Sequence, residues 1–347
     1  MFKVVVIGPD KDNGKGGVSS VINNSFNLLK DDKLFDLNFI ESYGSKRFSA
    51  IRALVSIFHQ CIFNKNEIYW FHLSQHFSII RKLLLSICCI LFKKKIIYQL
   101  HSPRIENYLG NFWGRQLIKM MLTTSDKVVV LSDYWKFMLL KEFPHYPHKI
   151  LVLSNPLVLP HYFEPIKPEN KTDFFLLTMA RLIKDKGVDK IVNAMKYNKF
   201  KLIVAGDGEE LENLKSLAKQ SGVYDRIEFT GWVNDDEKEK LFAKASIFVL
   251  PSKYDSFGMS FAESMARGVP VVAFKLRAIE HLVLDGITGK LIECDDEISI
   301  NNAIDLIRAD INNFSIECAY HIERNFSSVI FCRQFSLIIK DIKNYDK

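Results

Sequence analysis

Short runs of apolar, β-branched residues alternate with amphipathic stretches from one end of the chain to the other. Val4-Val5-Val6-Ile7 and Val128-Val129-Val130-Leu131 are apolar at every position, without the period of two that marks a strand with one wet face. Such strands are covered on both sides, as in a parallel sheet with right-handed helical crossovers. The pattern predicts strands over 3–7, 37–41, 67–72, 95–101, 127–131 and 149–154. A stretch with Pro156, Pro160, Pro165 and Pro168 follows and shows neither a helical nor a strand period, so it reads as a linker. The alternation then restarts, with strands expected over 174–180, 201–205, 227–230, 247–250, 271–274 and 289–293. Helical stretches over 316–324 and about 329–342 close the chain, parted at Asn325-Phe326-Ser327. The expected architecture is α/β: Rossmann-like domains over 1–157 and 172–325, a linker over 158–171, and a last helix within 326–347 that returns to the first domain. Their parallel sheets would face each other across a cleft, with ligands outside the carboxyl ends of the strands.

The length of 347 residues suffices for two such cores, and 48% hydrophobic with 25% charged residues is the composition of a soluble globular protein. Charge is uneven: Lys and Arg exceed Asp and Glu by 10 over residues 1–157 and fall short by 3 over 158–347. A basic half calls for an anionic partner: a membrane surface, nucleic acid or a phosphate-bearing substrate. Nucleic acid is disfavoured, because no binding motif is present and the cations are interspersed with Leu, Ile and Phe. Arg81, Lys82 and Lys93-Lys94-Lys95 flank the apolar run 83–92, while Lys46, Arg47 and Arg52 sit in a second mixed stretch, 46–63. These stretches read either as an anionic-membrane docking surface or as crossover helices with lysines at their wet ends. The run 83–92 is well short of the ~20 residues of a spanning helix. The apolar start over 2–8 reads as a strand rather than a leader, so a cytoplasmic protein, at most peripheral on the inner face of the membrane, is expected. The six cysteines form no Cys-x-x-Cys pair and read as free thiols in a reducing compartment. Asp10 and Asp12 form an Asp-x-Asp that reads as a solvated turn, so neither a metal nor a cofactor is expected.

Candidate chemistry sits where strands end. Gly14, Gly16 and Gly17 lie between the first strand and a helical pattern; they serve either as a structural turn or as an anion contact. In the second half, Arg181 and Lys186 follow a strand end, with Gly187 just before a helix over 188–197. Two cations there can clamp a diphosphate, or can be routine charges on a solvated loop. Gly206-Asp207-Gly208 forms a glycine turn after the next strand. The most informative segment is 249–272, with a helix expected over about 257–267 and ended by Gly268 and Pro270. Asp255 stands at its mouth and Glu263 about two turns inside, so both can face one cleft. The amides of Phe257, Gly258, Met259 and Ser260 would be available at its start for a phosphate. Glu263 lies among Phe261, Ala262, Met265 and Ala266, where burial is costly without a donor; ribose hydroxyls would supply one. The alternative partners are solvent or Arg267, one turn on.

The run Asp255-Ser256-Phe257-Gly258 through Glu263-Ser264-Met265-Ala266, followed by Gly268-Val269-Pro270-Val271-Val272, resembles the signature of the family 4 retaining glycosyltransferases. Gly16-Gly17-Val18, His101, Ser154-Asn155-Pro156, Arg181 with Lys186-Gly187, Gly206-Asp207-Gly208 and Thr230-Gly231-Trp232 extend the resemblance, in order, over nearly the whole chain. It implies the GT-B fold and a nucleotide-sugar donor, with Arg181 and Lys186 on the diphosphate and Glu263 on the ribose. It further implies that the amides of 257–260, with Gly16 and Gly17, cradle the phosphates and sugar. His101 would lie beside the reacting sugar, and Asp255 would take the first carboxylate position. Asp255 stands where that family usually has Glu, and the stretch Phe274–Glu280 lacks the paired glycines that often precede its glutamate. The favoured function is sugar transfer, from a donor expected to be UDP-linked, to a lipid-linked or polysaccharide acceptor. A sugar-nucleotide epimerase and a non-catalytic sugar-nucleotide-binding or membrane-docking subunit are the alternatives.

Overall fold

The continuously apolar runs form the inner strands of two parallel sheets, as burial on both faces requires. The computed structural model describes residues 1–11, 17–44, 48–64, 67–157 and 174–344. Asp12, Gly14, Gly16, Lys46, Arg47 and the expected linker 158–171 lie outside them. The chain divides into two compact units, Met1–Val158 with Phe326–Lys347, and Leu159–Asn325.

The first unit carries β1 (Phe2–Pro9), β2 (Phe35–Tyr43), β3 (Glu67–Leu73), β4 (Lys95–Leu100), β5 (Lys127–Val130) and β6 (Ile150–Val152), all parallel in the order β2-β1-β3-β4-β5-β6. Its crossovers are α1 (Gly17–Lys30), α2 (Ser49–Phe63), α3 (His76–Leu91), α4 (Ile105–Leu109), α5 (Phe112–Thr124) and α6 (Asp133–Glu142). The last helix of the chain, Ser328–Asn344, packs on this same sheet. Phe331, Phe335, Ile338, Ile339 and Ile342 recur at helical spacing and share one core with Val4, Val6, Ile22 and Trp70. The Phe335 ring lies 4.5 Å from that of Trp70 and 5.4 Å from that of Phe35. Each such aromatic contributes about 1.5–3 kcal/mol by leaving water, so the helix is part of this core rather than a tail. Asp341 pairs with Lys127, which extends the attachment to β5. On the opposite face α3 is tied to β4 by Tyr98 Oη donating to Ser86 Oγ at 2.6 Å. There α2 meets α3, with Cys61 Sγ 3.9 Å from Cys89 Sγ.

The second unit carries β7 (Phe175–Met179), β8 (Lys201–Ala205), β9 (Ile227–Gly231), β10 (Ile247–Leu250), β11 (Val271–Phe274) and β12 (Gly289–Ile292). Their order is β12-β11-β10-β7-β8-β9. The chain thus starts in the middle, builds outward through β8 and β9, and returns to build the other half from β10. The reversal falls between β7 and β10, the place where doubly wound sheets hold their ligands. The helices are α7 (Val188–Ala194), α8 (Leu211–Gln220), α9 (Asp235–Lys244), α10 (Met259–Met265), α11 (Glu297–Ala309) and α12 (Ile311–Phe326); the C-terminal helix of the first unit is therefore α13.

The helices differ from the sequence expectation more than the strands do. The helix read at 188–197 ends at Ala194 and tightens into a 3-10 turn over Met195–Tyr197. The helix read at 257–267 is limited to α10 because Gly258, at φ 86°, is its left-handed N-cap and not a helical residue. The final two helices are longer than their apolar periods indicated, so that Ser327 alone separates α12 from α13.

Candidate active site

The loops that leave β7 and β10 are bound to each other at the strand-order reversal. The Lys253 amide donates to the Asp185 carbonyl at 3.1 Å. Gly187, at φ 68°, lies so close to the second loop that a Cβ there would stand 2.9 Å from the Pro251 carbonyl oxygen. That contact places Lys186 over the end of β10. Its Nζ donates to Asp255 Oδ1, Asp255 Oδ2 and the Tyr254 carbonyl, each at 3.0 Å. All three ammonium protons thus have acceptors in the protein, and the part-buried pair with Asp255 is charge-neutral. Arg181, just beyond β7, is exposed, and its guanidinium has no partner among the described residues. The β8 loop completes the arrangement from the other side of β7. The Gly206 amide donates to the Gly231 carbonyl at 2.7 Å, and a Cβ at Gly206 would fall on the Ala180 carbonyl oxygen. The Leu182 amide donates to the Asp207 carbonyl at 3.0 Å. Arg181 is therefore flanked by hydrogen-bonded backbone on both sides, and its side chain is directed outward.

Glu263 sits on α10 as the spacing indicated, but its partner is new. Lys238 on α9 places Nζ 3.3 Å from Glu263 Oε1, and both side chains are part-buried. Arg267 takes a different role from the one its spacing offered. It donates to the Glu263 main-chain carbonyl at 2.6 Å and pairs with Glu239 through its Nε, 2.8 Å away. Each carboxylate of the Asp255–Glu263 pair is thus matched by a lysine from a distant segment. Phe257 is buried, while Met259 and Ser260 begin α10 part-exposed.

In the first unit, Gly17 opens α1 with unobstructed space where a Cβ would stand. His101 lies just past β4 and is only 4% exposed. Its Nε2 is 2.9 Å from Nδ1 of His72, a residue at the end of β3, and the two rings stack. His72 Nε2 is buried with no hydrogen-bond partner among the described residues. An unpaired lone pair costs less there than an unpaired N–H, so the favoured tautomer has His72 Nδ1–H donating to His101. Burial, and then the nearby Lys82 ammonium, push the His101 imidazole down to about 3, so it is neutral at physiological pH. Lys82 itself is 1% exposed and donates to Ser78 Oγ at 2.7 Å; it points inward and cannot meet an external anion, contrary to its expected place on a membrane-facing surface.

Burial, with a smaller contribution from Arg81, lowers the Lys82 amine to about 7. The unfolded chain therefore holds a proton that the folded one releases between about pH 7 and the ordinary lysine range, so this group's cost to the fold is full below pH 7 and fades as pH rises. Lys82→Met is expected to raise the melting temperature at pH 6 by about 3 °C or more, with a smaller gain at pH 9.5. Thermal unfolding of both proteins at the two pH values checks this; an equal gain at both would mean that no charge is being removed.

His72 and Lys238 were not picked out by the sequence reading, and Lys82 was picked out only as a surface cation. His72 had a signal: two successive predicted strands both end in histidine, and consecutive strands are usually neighbours. Lys238 had none, since nothing local links it to a residue 25 positions away.

Residues 163–314 match the family model described as glycosyl transferases group 1. The chain carries a group 1 glycosyltransferase domain. A glycosyltransferase of Haemophilus influenzae, itself uncharacterised, is 29% identical over 324 residues, which cover 86% of this chain and 87% of that one. The lipopolysaccharide core biosynthesis glycosyltransferase LpsE of Rhizobium meliloti is 32% identical over 136 residues, covering 39% of this chain and 36% of that protein. HepE of Anabaena, solved in complex with UDP-glucose, superposes with a TM-score of 0.77 at 16% identity, covering 98% of this chain and all of that one. Two six-stranded parallel sheets with their flanking helices are accordingly the GT-B fold. This group 1 glycosyltransferase is an enzyme, and the epimerase and binding-subunit alternatives are set aside on that ground.

Proposed function

We propose that this glycosyltransferase is a retaining enzyme that moves a sugar from a UDP-linked donor to a lipid-linked or polysaccharide acceptor during cell-surface glycan synthesis, at the inner face of the cell membrane. The observation that carries the donor assignment is the convergence of Arg181 and the Lys186–Asp255 pair on the reversal between β7 and β10. In this reading the guanidinium of Arg181 and the ammonium of Lys186 offset the charge that gathers on the diphosphate as the glycosidic bond breaks. Asp255 holds Lys186 in place and keeps its charge balanced until the donor arrives. Glu263 accepts from the ribose hydroxyls, and the amides of Phe257 to Ser260 receive a phosphate at the start of α10. The first unit is assigned the acceptor side, and the family resemblance gives Gly17, at the start of α1, to the donor's phosphates and sugar and His101, after β4, a place beside the reacting sugar. Gly16, outside the described residues, is assigned with Gly17.

Because side-chain cations and amides supply the stabilisation, transfer is expected without a metal. Incubation with a panel of UDP-sugars and lipid-linked acceptors in excess chelator, read by mass spectrometry, should give a product heavier by one sugar. Loss of that product in chelator, with recovery on adding manganese or magnesium, would contradict the metal-free reading.

A further inference from the structure

We propose that α2, α3 and α5 form a membrane-seated surface that enters the headgroup boundary of an anionic bilayer with its apolar side chains. This rests on the reading of a lipid-linked acceptor and names the surface that would bring the enzyme to it.

The sequence of α3 places Phe77, Ile80, Leu84, Ile87 and Leu91 at spacings of three and four, on one stripe, and all five are exposed. The helix buries its other side on the sheet, so apolar residues occupy both its packed and its exposed side. Its neighbours continue the exposed stripe. On α2, Ile51, Val55, Phe58 and Ile62 are exposed at the same spacing, and Phe58 meets Phe92 edge to face at 5.7 Å. Between α3 and α5 runs a groove of about 170 Å³, lined by Ile80, Leu84, Ile87, Leu117 and Met120 among others, with Ser86 and Thr124 its only polar residues. Trp113, one turn before Leu117, is 77% exposed. An apolar face on three adjacent helices is more than scattered surface hydrophobics explain.

Charge selects the occupant. Between Glu41 and Glu106 the chain has ten Lys and Arg and a single acidic residue, Glu67, which is buried at the start of β3. None of α2, α3 and α5 contains an Asp or Glu. The exposed cations among the described residues here include Arg52 on α2, Lys93 just after α3 and Lys119 on α5. A second copy seated on this face would set like charges against one another. Anionic headgroups over an acyl layer satisfy both the cations and the apolar stripe. No helix among the described residues is long and apolar enough to cross a membrane, so the helices lie along the interface. With Lys82 buried, exposed cations are fewer than the sequence promised, and apolar entry carries more of the binding than charge does.

The test is co-sedimentation with vesicles of phosphatidylcholine alone and with phosphatidylglycerol added. The full chain should bind the second more strongly. Leu84→Glu with Leu91→Glu, at side chains 59% and 74% exposed, should lower that binding tenfold or more. Val329→Glu, on exposed surface of α13, should leave it intact. Transfer to a soluble saccharide acceptor should be unchanged in the double variant, which separates failure of this surface from failure of the transfer reaction. In the unsubstituted protein, brominated phosphatidylglycerol should quench tryptophan emission, and Trp113→Phe should remove that quenching. Full binding by the double variant, no binding of the unsubstituted protein to either vesicle, or a dimer in solution that the double variant dissociates would each overturn the proposal.

Discussion

Lys186→Ala is expected to slow sugar transfer by roughly a hundredfold or more, and Arg181→Ala by a similar order with a smaller loss. Both changes remove a cation from the strand-order reversal where the leaving diphosphate is assigned. The difference between them follows from Asp255. Its carboxylate shares both oxygens with Lys186 Nζ at 3.0 Å, so alanine at 186 deletes a cation and also leaves an unpaired, part-buried anion facing the phosphates. Arg181 has no such partner among the described residues, and its removal leaves nothing uncompensated. Lys186→Ala combined with Asp255→Asn should therefore recover part of the donor affinity lost in the single variant, a coupling that a double-mutant cycle measures. Steady-state transfer and UDP titration on the wild type, the two alanine variants, Asp255→Asn and the double variant check this. Near wild-type turnover in both alanine variants would remove the diphosphate assignment.

Glu263→Gln is expected to weaken UDP binding by about tenfold while leaving the melting temperature nearly unchanged. A carboxylate accepts from ribose hydroxyls about twice as strongly as a neutral amide, and tenfold corresponds to about 1.4 kcal/mol. The stability side is small because Glu263 and Lys238 are both part-exposed, and such pairs contribute about 1 kcal/mol or less. Gln also keeps the length of the side chain and leaves the main-chain bond from Arg267 untouched. Calorimetric titration with UDP and a thermal melt separate the two effects. Unchanged affinity would take Glu263 off the ribose, and a large fall in melting temperature would make it a structural residue.

The strands were legible because their apolar runs carry the burial on both faces directly, and every one of the twelve lies at or within a residue or two of its expected place. The strand order was not written in any local pattern, yet it alone puts Arg181 and Asp255 on neighbouring loops. Gly187 marked a helix start and Gly206 a strand end in the sequence, whereas the backbone they press against, Pro251 and Ala180, emerged only with the fold. Charge was the least legible property. Lys82 counted as a surface cation by composition and is buried against Ser78, because position on a helix, rather than charge, decides which face a residue takes. Asp255 and Glu263 were legible as a pair on one segment, and their lysine partners, drawn from positions 186 and 238, were not.

The donor diphosphate is assigned to the reversal between β7 and β10. Amide hydrogen exchange, with and without saturating UDP, tests it most directly. UDP is expected to slow exchange in peptides spanning 181–187, 206–208 and 255–263, and to leave β9, α11 and α12 at their original rates. Exchange in the three loops that stays unchanged at saturating UDP, or protection that appears only in other segments, would contradict it.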